Sequence, residues 1–252
     1  MKISKESVRL LVSAPTQYAI RLACSPDEIQ SAQALRFQVF NLELNEGLAR
    51  SYQTGLDADP FDAVCDHLIV EHVPSGQIVG TYRLQTGSSA AKNLGYYCEK
   101  EFQFGRFEPI REQIVELGRA CVHRQHRNLF VLGLLWKSIA EYTRERGGRY
   151  LIGCSSLTSQ EPAAGASAYT ELCRNHLADP QWRTTPLPSH DCSLDAVTEE
   201  PVSIPKLLRA YLLMGAKICG PPALDAQFKT IDFLTFLDME ALSESARERF
   251  LS

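Results

Sequence analysis

The segment VELGRACVH, residues 115–123, sets an acid and a guanidinium three residues apart in an otherwise apolar run. A glutamate in apolar surroundings has its pKa raised unless a cation compensates, so Glu116 is a candidate proton acceptor near neutral pH. Arg119 is either its partner in a purely structural pair or a neighbour in catalysis. Three other places put charge where apolar residues are expected. On a helical projection of residues 25–44, Ile29, Ala32, Leu35, Val39, Phe40 and Leu44 form one apolar arc, and Arg36 falls near its middle. A buried guanidinium needs an anion. That anion is a loop aspartate or the carboxylate of a substrate held by the bidentate fork, unless the stem snorkels to the surface. The loop DADPFD, residues 57–62, carries three aspartates. Asx-turn chemistry accounts for Asp57, whereas Asp59 and Asp62 form either a solvated cap or a recess for a cationic substrate. Arg83, in GTYRLQT, lies on the strand face opposite Tyr82 and Leu84, as a surface residue or a site residue.

The run HRQHR, residues 123–127, is basic and opens a helix, which suits an anion such as phosphate; a solvated helix start explains it equally. His123 and His126 have no further ligand set, so no metal site is expected. The acidic loop lacks the ligand spacing of a calcium loop. GCSSLTS, residues 153–159, lacks the glycine of a nucleophile elbow, and Cys154 reads as an inert strand cysteine.

These residues need elements to hold them. YAIRLAC (18–24) alternates as a strand, and Ser25 with Pro26, Asp27 and Glu28 opens a helix over 25–44. Residues 66–73 and 78–86 read as a hairpin and 113–122 as the next strand. Glu116 and Arg119 would face opposite ways on a regular strand, so a β-bulge is expected near Leu117–Gly118. A helix follows over 128–148, a strand over 149–154, helices over 161–176 and 205–216, and a strand over 230–238; 180–205 is a Pro-rich loop.

The net charge of −4 argues against a dedicated nucleic-acid binder. The longest apolar run, LFVLGLLW (129–136), is far short of the ~20 residues of a spanning helix, so any membrane contact is expected to be peripheral. The N-terminal stretch has no long apolar core, which reads as no secretory signal. Eight scattered cysteines without a CxxC fit reduced thiols, and a cytoplasmic location is expected.

The segments LRFQVFNLELNEGL, DPFDAVCDHLIV, IVGTYRLQ and VELGRACVHRQHRN carry a resemblance that runs over roughly residues 18–240. The chain resembles the acyl-carrier-protein-dependent N-acyltransferases of the GNAT superfamily, most nearly the ornithine N-acyltransferase group, also labelled hemolysin-like, which makes the lyso form of ornithine lipid. It is also similar to the acyl-homoserine-lactone synthases. Arg36 and Phe40 match their Arg-x-x-x-Phe, and Asp59 and Asp62 their Asp-x-x-Asp. Arg83 matches a Gly-x-x-Arg-Leu strand, and Glu116 and Arg119 their Glu-x-x-Arg. Glu46 stands where those synthases have a tryptophan, which speaks against a lactone product.

The resemblance implies an α/β (α+β) fold in a single domain over 1–252. Its mixed central sheet of about seven strands would be flanked by helices and splayed between 113–122 and 149–154. It implies Glu116 as base and Arg119 as its orienting partner. Arg36, Phe40, Asp59, Asp62 and Arg83 would bind the acceptor, the arginines taking an α-carboxylate and the aspartates a side-chain ammonium. His123, Arg124 and Arg127 would meet the donor phosphate. No bound cofactor is implied; the co-substrate is an acyl-carrier-protein or coenzyme A thioester. Only Gly133 remains of the glycine-rich phosphate loop, which favours the carrier protein. The expected partners are that carrier and an amino acid. Alternatives are an N-acyl amino acid synthase with another acceptor, a coenzyme A-dependent acetyltransferase, and a non-catalytic acyl-binding module.

Overall fold

The computed structural model describes residues 17–198, 202–242, 244, 247 and 248. One mixed sheet runs through it in the order β1-β2-β3-β4-β5-β8-β6, with β7 also paired to β8. β1 (Tyr18–Leu22), β2 (Asp66–His72), β3 (Gln77–Thr86) and β4 (Ile114–Val122) form an antiparallel run. β5 (Tyr150–Leu157) joins β4 in parallel and pairs antiparallel with β8 (Thr230–Asp238). β6 (Lys217–Ile218) and β7 (Ala223–Asp225) are too short to show a hydrophobic period, so the expected sheet of about seven strands has eight. No helix among the described residues is long and apolar enough to cross a membrane.

The first helix opens as its residues dictate. In α1 (Pro26–Phe37), Ser25 Oγ accepts from the Glu28 amide, and Pro26 takes the first-turn position where no N–H is needed. The helix then widens into a π-helical turn, Gln38–Glu43. A short α2 (Ser51–Thr54) and a 3-10 turn, Pro60–Ala63, structure the acidic loop. α3 (Gly87–Lys92) and two further 3-10 turns structure the irregular region 87–113. α4 (Leu129–Glu145) starts at Asn128, whose Oδ1 accepts from the Val131 amide; its apolar side, with Val131, Leu135 and Ile139, packs on the β2–β4 face. α5 (Pro162–His176) and α6 (Lys206–Leu213) bury Leu172, Leu208 and Leu212 beside Phe233. The expected 180–205 loop holds two 3-10 turns and two single β-bridges, Pro186 to Phe102 and Asp191 to Ala223, among its described residues.

Two departures from regular strands shape the centre. β4 and β5 share only three register positions, Ile114–Glu116 against Tyr150–Ile152, and then separate, which is the expected splay. Gly153 stands at the fork. A Cβ there would lie 2.2 Å from the Leu117 carbonyl oxygen, so no larger residue fits while β4 keeps this course. The second departure is the bulge. Arg83 pairs with Gly118 and Thr81 with Cys121, so Arg119 and Ala120 together oppose Tyr82. The bulge therefore falls at Arg119–Ala120, just past the expected Leu117–Gly118. Arg119, not the glycine, takes the left-handed backbone at φ 49°.

Candidate active site

The bulge places Arg119 on the same sheet face as Arg83 and Glu116, but not in a pair with Glu116. The Glu116 carboxylate accepts from the backbone amides of Tyr97 and Cys98, both at 2.7 Å, where a 3-10 turn (Tyr97–Lys100) presents its free N–H groups. The side chain is 5% exposed. Burial raises its pKa, and the two amides oppose the rise without cancelling it. The amides, rather than Arg119, orient this acid, which corrects the role that the resemblance implied for Arg119.

Arg119 belongs to a closed ring of alternating charge. Arg36 reaches Asp57 at 2.9 Å and Asp62 at 2.7 Å. Asp62 meets Arg83 at 3.0 Å, and Arg83 meets Asp59 at 2.7 Å. Asp59 meets Arg119 at 3.1 Å, and Arg119 returns to Asp57 at 3.3 Å. The loop is preset for this. Asp59 caps the Pro60–Ala63 turn through the Phe61 amide, and Asp62 accepts from the Asp59 amide. Burial alone would raise the pKa of both acids. Arg36 and Arg83 hold Asp62 well below the usual carboxylate range, and Arg83 and Arg119 hold Asp59 low.

This ring revises several expectations. Arg36 and Asp57 are 0% exposed, and Arg36 also donates to the Asp57 carbonyl and to Asp62 Oδ1, so Arg36 has no edge left for a substrate carboxylate. The loop-aspartate alternative accounts for it. Asp59 and Asp62 are already neutralised by arginines and are not a recess for an ammonium. Asp57 is a ring member and not only a turn residue. Arg83 is buried, contrary to a half-exposed position. It uses Nη1 for both aspartates and makes no other hydrogen bond among the described residues. Phe40 packs edge-on against Phe228, whose ring also lies 4.3 Å from the Arg119 guanidinium carbon.

A cavity of about 290 Å³ opens at the fork. Arg83, Gln85, Glu116, Arg119 and Tyr97 form part of its polar wall, and Trp136, Leu151, Leu208, Tyr211 and Leu237 part of its apolar one. Gln85, opposite Glu116 in register and 2% exposed, leaves both amide atoms unpaired among the described residues. A wider channel of about 770 Å³ adjoins the cavity; Phe40, Leu44, Tyr82, Ala120 and Leu207 line both. Arg127, Asn128, Lys206 and Arg209 stand along this channel.

The basic run contributes less than its composition suggested. Of His123, Arg124 and Arg127, only Arg127 lines the channel, and it is clamped by both Glu43 oxygens and the Val122 carbonyl. His123 accepts from the Gln125 amide in the 3-10 turn Arg124–His126, and Arg124 is exposed, so the run does not open α4 itself. The cavity also carries acids to which the sequence assigned no role in the site: Glu46, Asp225 and Asp232, with Glu101 behind them. Burial raises Glu46 to about 7 and Asp232 to about 6, and burial with neighbouring Asp232 pushes Glu101 well above the carboxylate range.

The sheet forked between parallel β4 and β5, with a buried acid at the fork and an apolar channel beside it, belongs to an acyltransferase of the GNAT class, as its relatives show. Residues 35–137 match the acetyltransferase (GNAT) domain family. By sequence, the chain is 36% identical over 241 residues to an L-ornithine N(alpha)-acyltransferase of Brucella abortus, covering 89% of this chain and 85% of the relative. It is 31% identical over 251 residues to the enzyme of that name from Rhodobacter capsulatus, covering 94% and 96%. The chain belongs to the L-ornithine N(alpha)-acyltransferase family. Among solved structures, the fold is similar to FeeM, an N-acyl amino acid synthase from uncultured soil microbes, with TM-score 0.56, 11% identity, and 95% and 97% of the two chains covered. It is likewise similar to the AHL synthase LasI, with TM-score 0.51, 11% identity, and 91% and 93% covered.

Proposed function

We propose that this chain moves a fatty acyl group, 3-hydroxylated in the lipid-forming case, from a carrier-protein thioester to the α-amine of ornithine. The product is a lyso-ornithine-lipid-type amide. The observation that supports this best is the junction at the fork. A buried acid with a raised pKa, the two unpaired amide atoms of Gln85 and an arginine with free donors meet there at the inner end of an apolar channel.

The acceptor's α-carboxylate lies against the free Nε and Nη2 of Arg83, with Gln85 beside it. Its α-ammonium gives a proton to Glu116, directly or through one water. The freed amine attacks the thioester carbonyl carbon. The C–N bond forms as the carbonyl electrons move to oxygen, and backbone N–H groups of β4 past its last pairing with β5 stabilise that oxyanion. Collapse breaks the C–S bond as the surplus proton on the attacking nitrogen passes to the departing sulfur, giving amide and free thiol, and Glu116 releases the proton it took first to solvent. Arg119 does not orient the base; it fixes the bulge through Asp57 and Asp59. The pantetheine arm occupies the channel, whose rim carries Arg127, Lys206 and Arg209 for the single phosphodiester of a carrier-bound donor and the carrier's acidic surface. The reading places the protein in the cytoplasm, with peripheral access to the membrane that its product enters.

The experiment is direct. The purified chain is incubated with 3-hydroxyacyl-carrier protein or the matching coenzyme A thioester, plus ornithine, and products are read by mass spectrometry with thiol release. Nα-acylornithine is expected, with faster turnover from the carrier protein. Absence of acylornithine from either donor refutes the reading, and equal rates refute the carrier preference.

A further inference from the structure

Three carboxyl groups, of Glu46, Asp225 and Asp232, line the inner wall of the cavity and a fourth, of Glu101, stands behind them, without a described cation among the four. Asp232, on β8, is 4% exposed; its Oδ2 accepts from the Thr230 hydroxyl at 3.3 Å and its Oδ1 has no partner. Glu101 is 1% exposed; its Oε2 accepts from the Cys154 thiol at 3.4 Å and its Oε1 has no partner. One ligand atom from each of Glu101, Cys154 and Asp232 fits within a 4.8 Å group. Asp225 Oδ1 takes the Gln227 and Phe228 amides, and Glu46 takes the Thr158 hydroxyl. None of the four forms an ion pair with a described residue, whereas on the same sheet face the three aspartates of the ring are matched by three arginines.

That contrast needs a cause. A buried, unmatched carboxylate is strongly unfavourable unless it is neutralised. Asp232, Cys154 and Glu116 lie on one face across β8, β5 and β4. An acceptor whose α-amine sits at Glu116 can therefore run its side chain along this row. A terminal ammonium brings three N–H donors, and Asp232, with Glu46 or Asp225, offers cavity-facing oxygens to receive them, while Glu101 stands behind Asp232.

We infer that this acid cluster is the subsite for the distal ammonium of a diamino-acid acceptor, with Asp232 its main contact, and that it selects such an acceptor over the uncharged analogue of equal length. The inference rests on the ornithine reading above and adds to it the residues that recognise the side chain. Ring aspartates Asp59 and Asp62 take no part in it.

The test compares kcat/KM for ornithine and for norvaline, which has the same carbon chain and no distal ammonium, in the wild type, Asp232→Asn and Glu46→Gln. Each substitution keeps shape and removes charge. The ornithine-over-norvaline ratio is expected to fall roughly 10- to 100-fold in Asp232→Asn, mainly through KM for ornithine, the range for a hydrogen bond to a charged group. Glu46→Gln should lower the ratio in the same direction, and it carries the test if Asp232→Asn does not fold. An unchanged ratio overturns the inference while leaving ornithine acylation in place. A wild type that acylates neither amino acid overturns the ornithine reading and the inference with it. Stoichiometric metal measured in the purified wild type and lost in Asp232→Asn also overturns it, because the cluster would then be a metal site.

Discussion

Asp57→Asn isolates the charge of the arginine–aspartate ring. The asparagine carbonyl replaces Oδ2 and keeps accepting from Arg36, while its amide takes the place of Oδ1, which has no partner in the wild type. Only the negative charge is lost. Three arginines then share two carboxylates in a site where Arg36 is 0% exposed. Removing one partner of a buried pair costs about 3–5 kcal/mol. That is a large part of an unfolding free energy of about 5–15 kcal/mol. At about 2–4 °C per kcal/mol for a chain of this size, Tm should drop by roughly 6–20 °C. The control is Glu43→Gln at the Arg127 pair, where the side chains are 31% and 40% exposed and the loss should stay under about 1 kcal/mol. Urea melts of both variants, followed by circular dichroism, give the comparison. A loss for Asp57→Asn no larger than for the surface control would refute the view of the ring as one coupled structure.

Glu116→Gln should lower kcat about 100- to 10,000-fold with KM for ornithine changed little, measured by thiol release; equal activity removes this residue as base. Gly153→Ala forces a Cβ toward the Leu117 carbonyl and should cost at least about 1–3 kcal/mol by denaturation, with acyl transfer lost alongside; a fully stable, active variant would show the fork to be adjustable. Ring acids give stability in acid of a definite sign. Asp59 and Asp62 have folded pKa values below their unfolded ones, so their contribution is present above about pH 4 and lost as pH falls through the folded values, read as a falling Tm. Glu46 and Asp232 run the other way. Their folded pKa values of about 7 and about 6 lie above the unfolded ones, so their contribution is full below about pH 4 and is lost as pH rises toward 7. Ornithine should therefore raise Tm more at pH 8 than at pH 5.5, and an equal rise at both would count against an ammonium at those acids.

Much of the fold was legible where a long period met punctuation. The helix from Ser25, the hairpin at 66–86 and the strand at 113–122 follow from alternation, capping residues and turn signals. β6 and β7, of two and three residues, have no period to read and exist because β8 offers them the edge that β5 leaves open. Site chemistry was legible as misplaced charge, but not as partnership. Arg36 had to find an anion, yet no spacing rule says whether it lies 21 residues away at Asp57 or arrives with a substrate. The same signal was present at Asp232, a charge inside the apolar strand TIDFLTFLD, and went unused. Glu101 sits in an irregular segment and gave no signal of its own; only the folded turn carries it to Cys154.

The extra residue in β4 resets which way its side chains point. Before it, Ile114 and Glu116 look toward the Tyr97–Cys98 turn; after it, Cys121 joins Phe40 and Phe228 while Ala120 and Val122 pack toward α4. One strand thus shows two phases, and a single insertion divides them. Removing Gly118 would restore strict alternation and leave Arg119, Ala120 and Cys121 on the faces they now occupy, because β4 carries one residue more than regular pairing needs. In this protein, then, the surplus residue lets Glu116 and Cys121, an odd number of positions apart, serve the same face, and a one-codon deletion at that spot disturbs the phase of β4 less than one elsewhere along it.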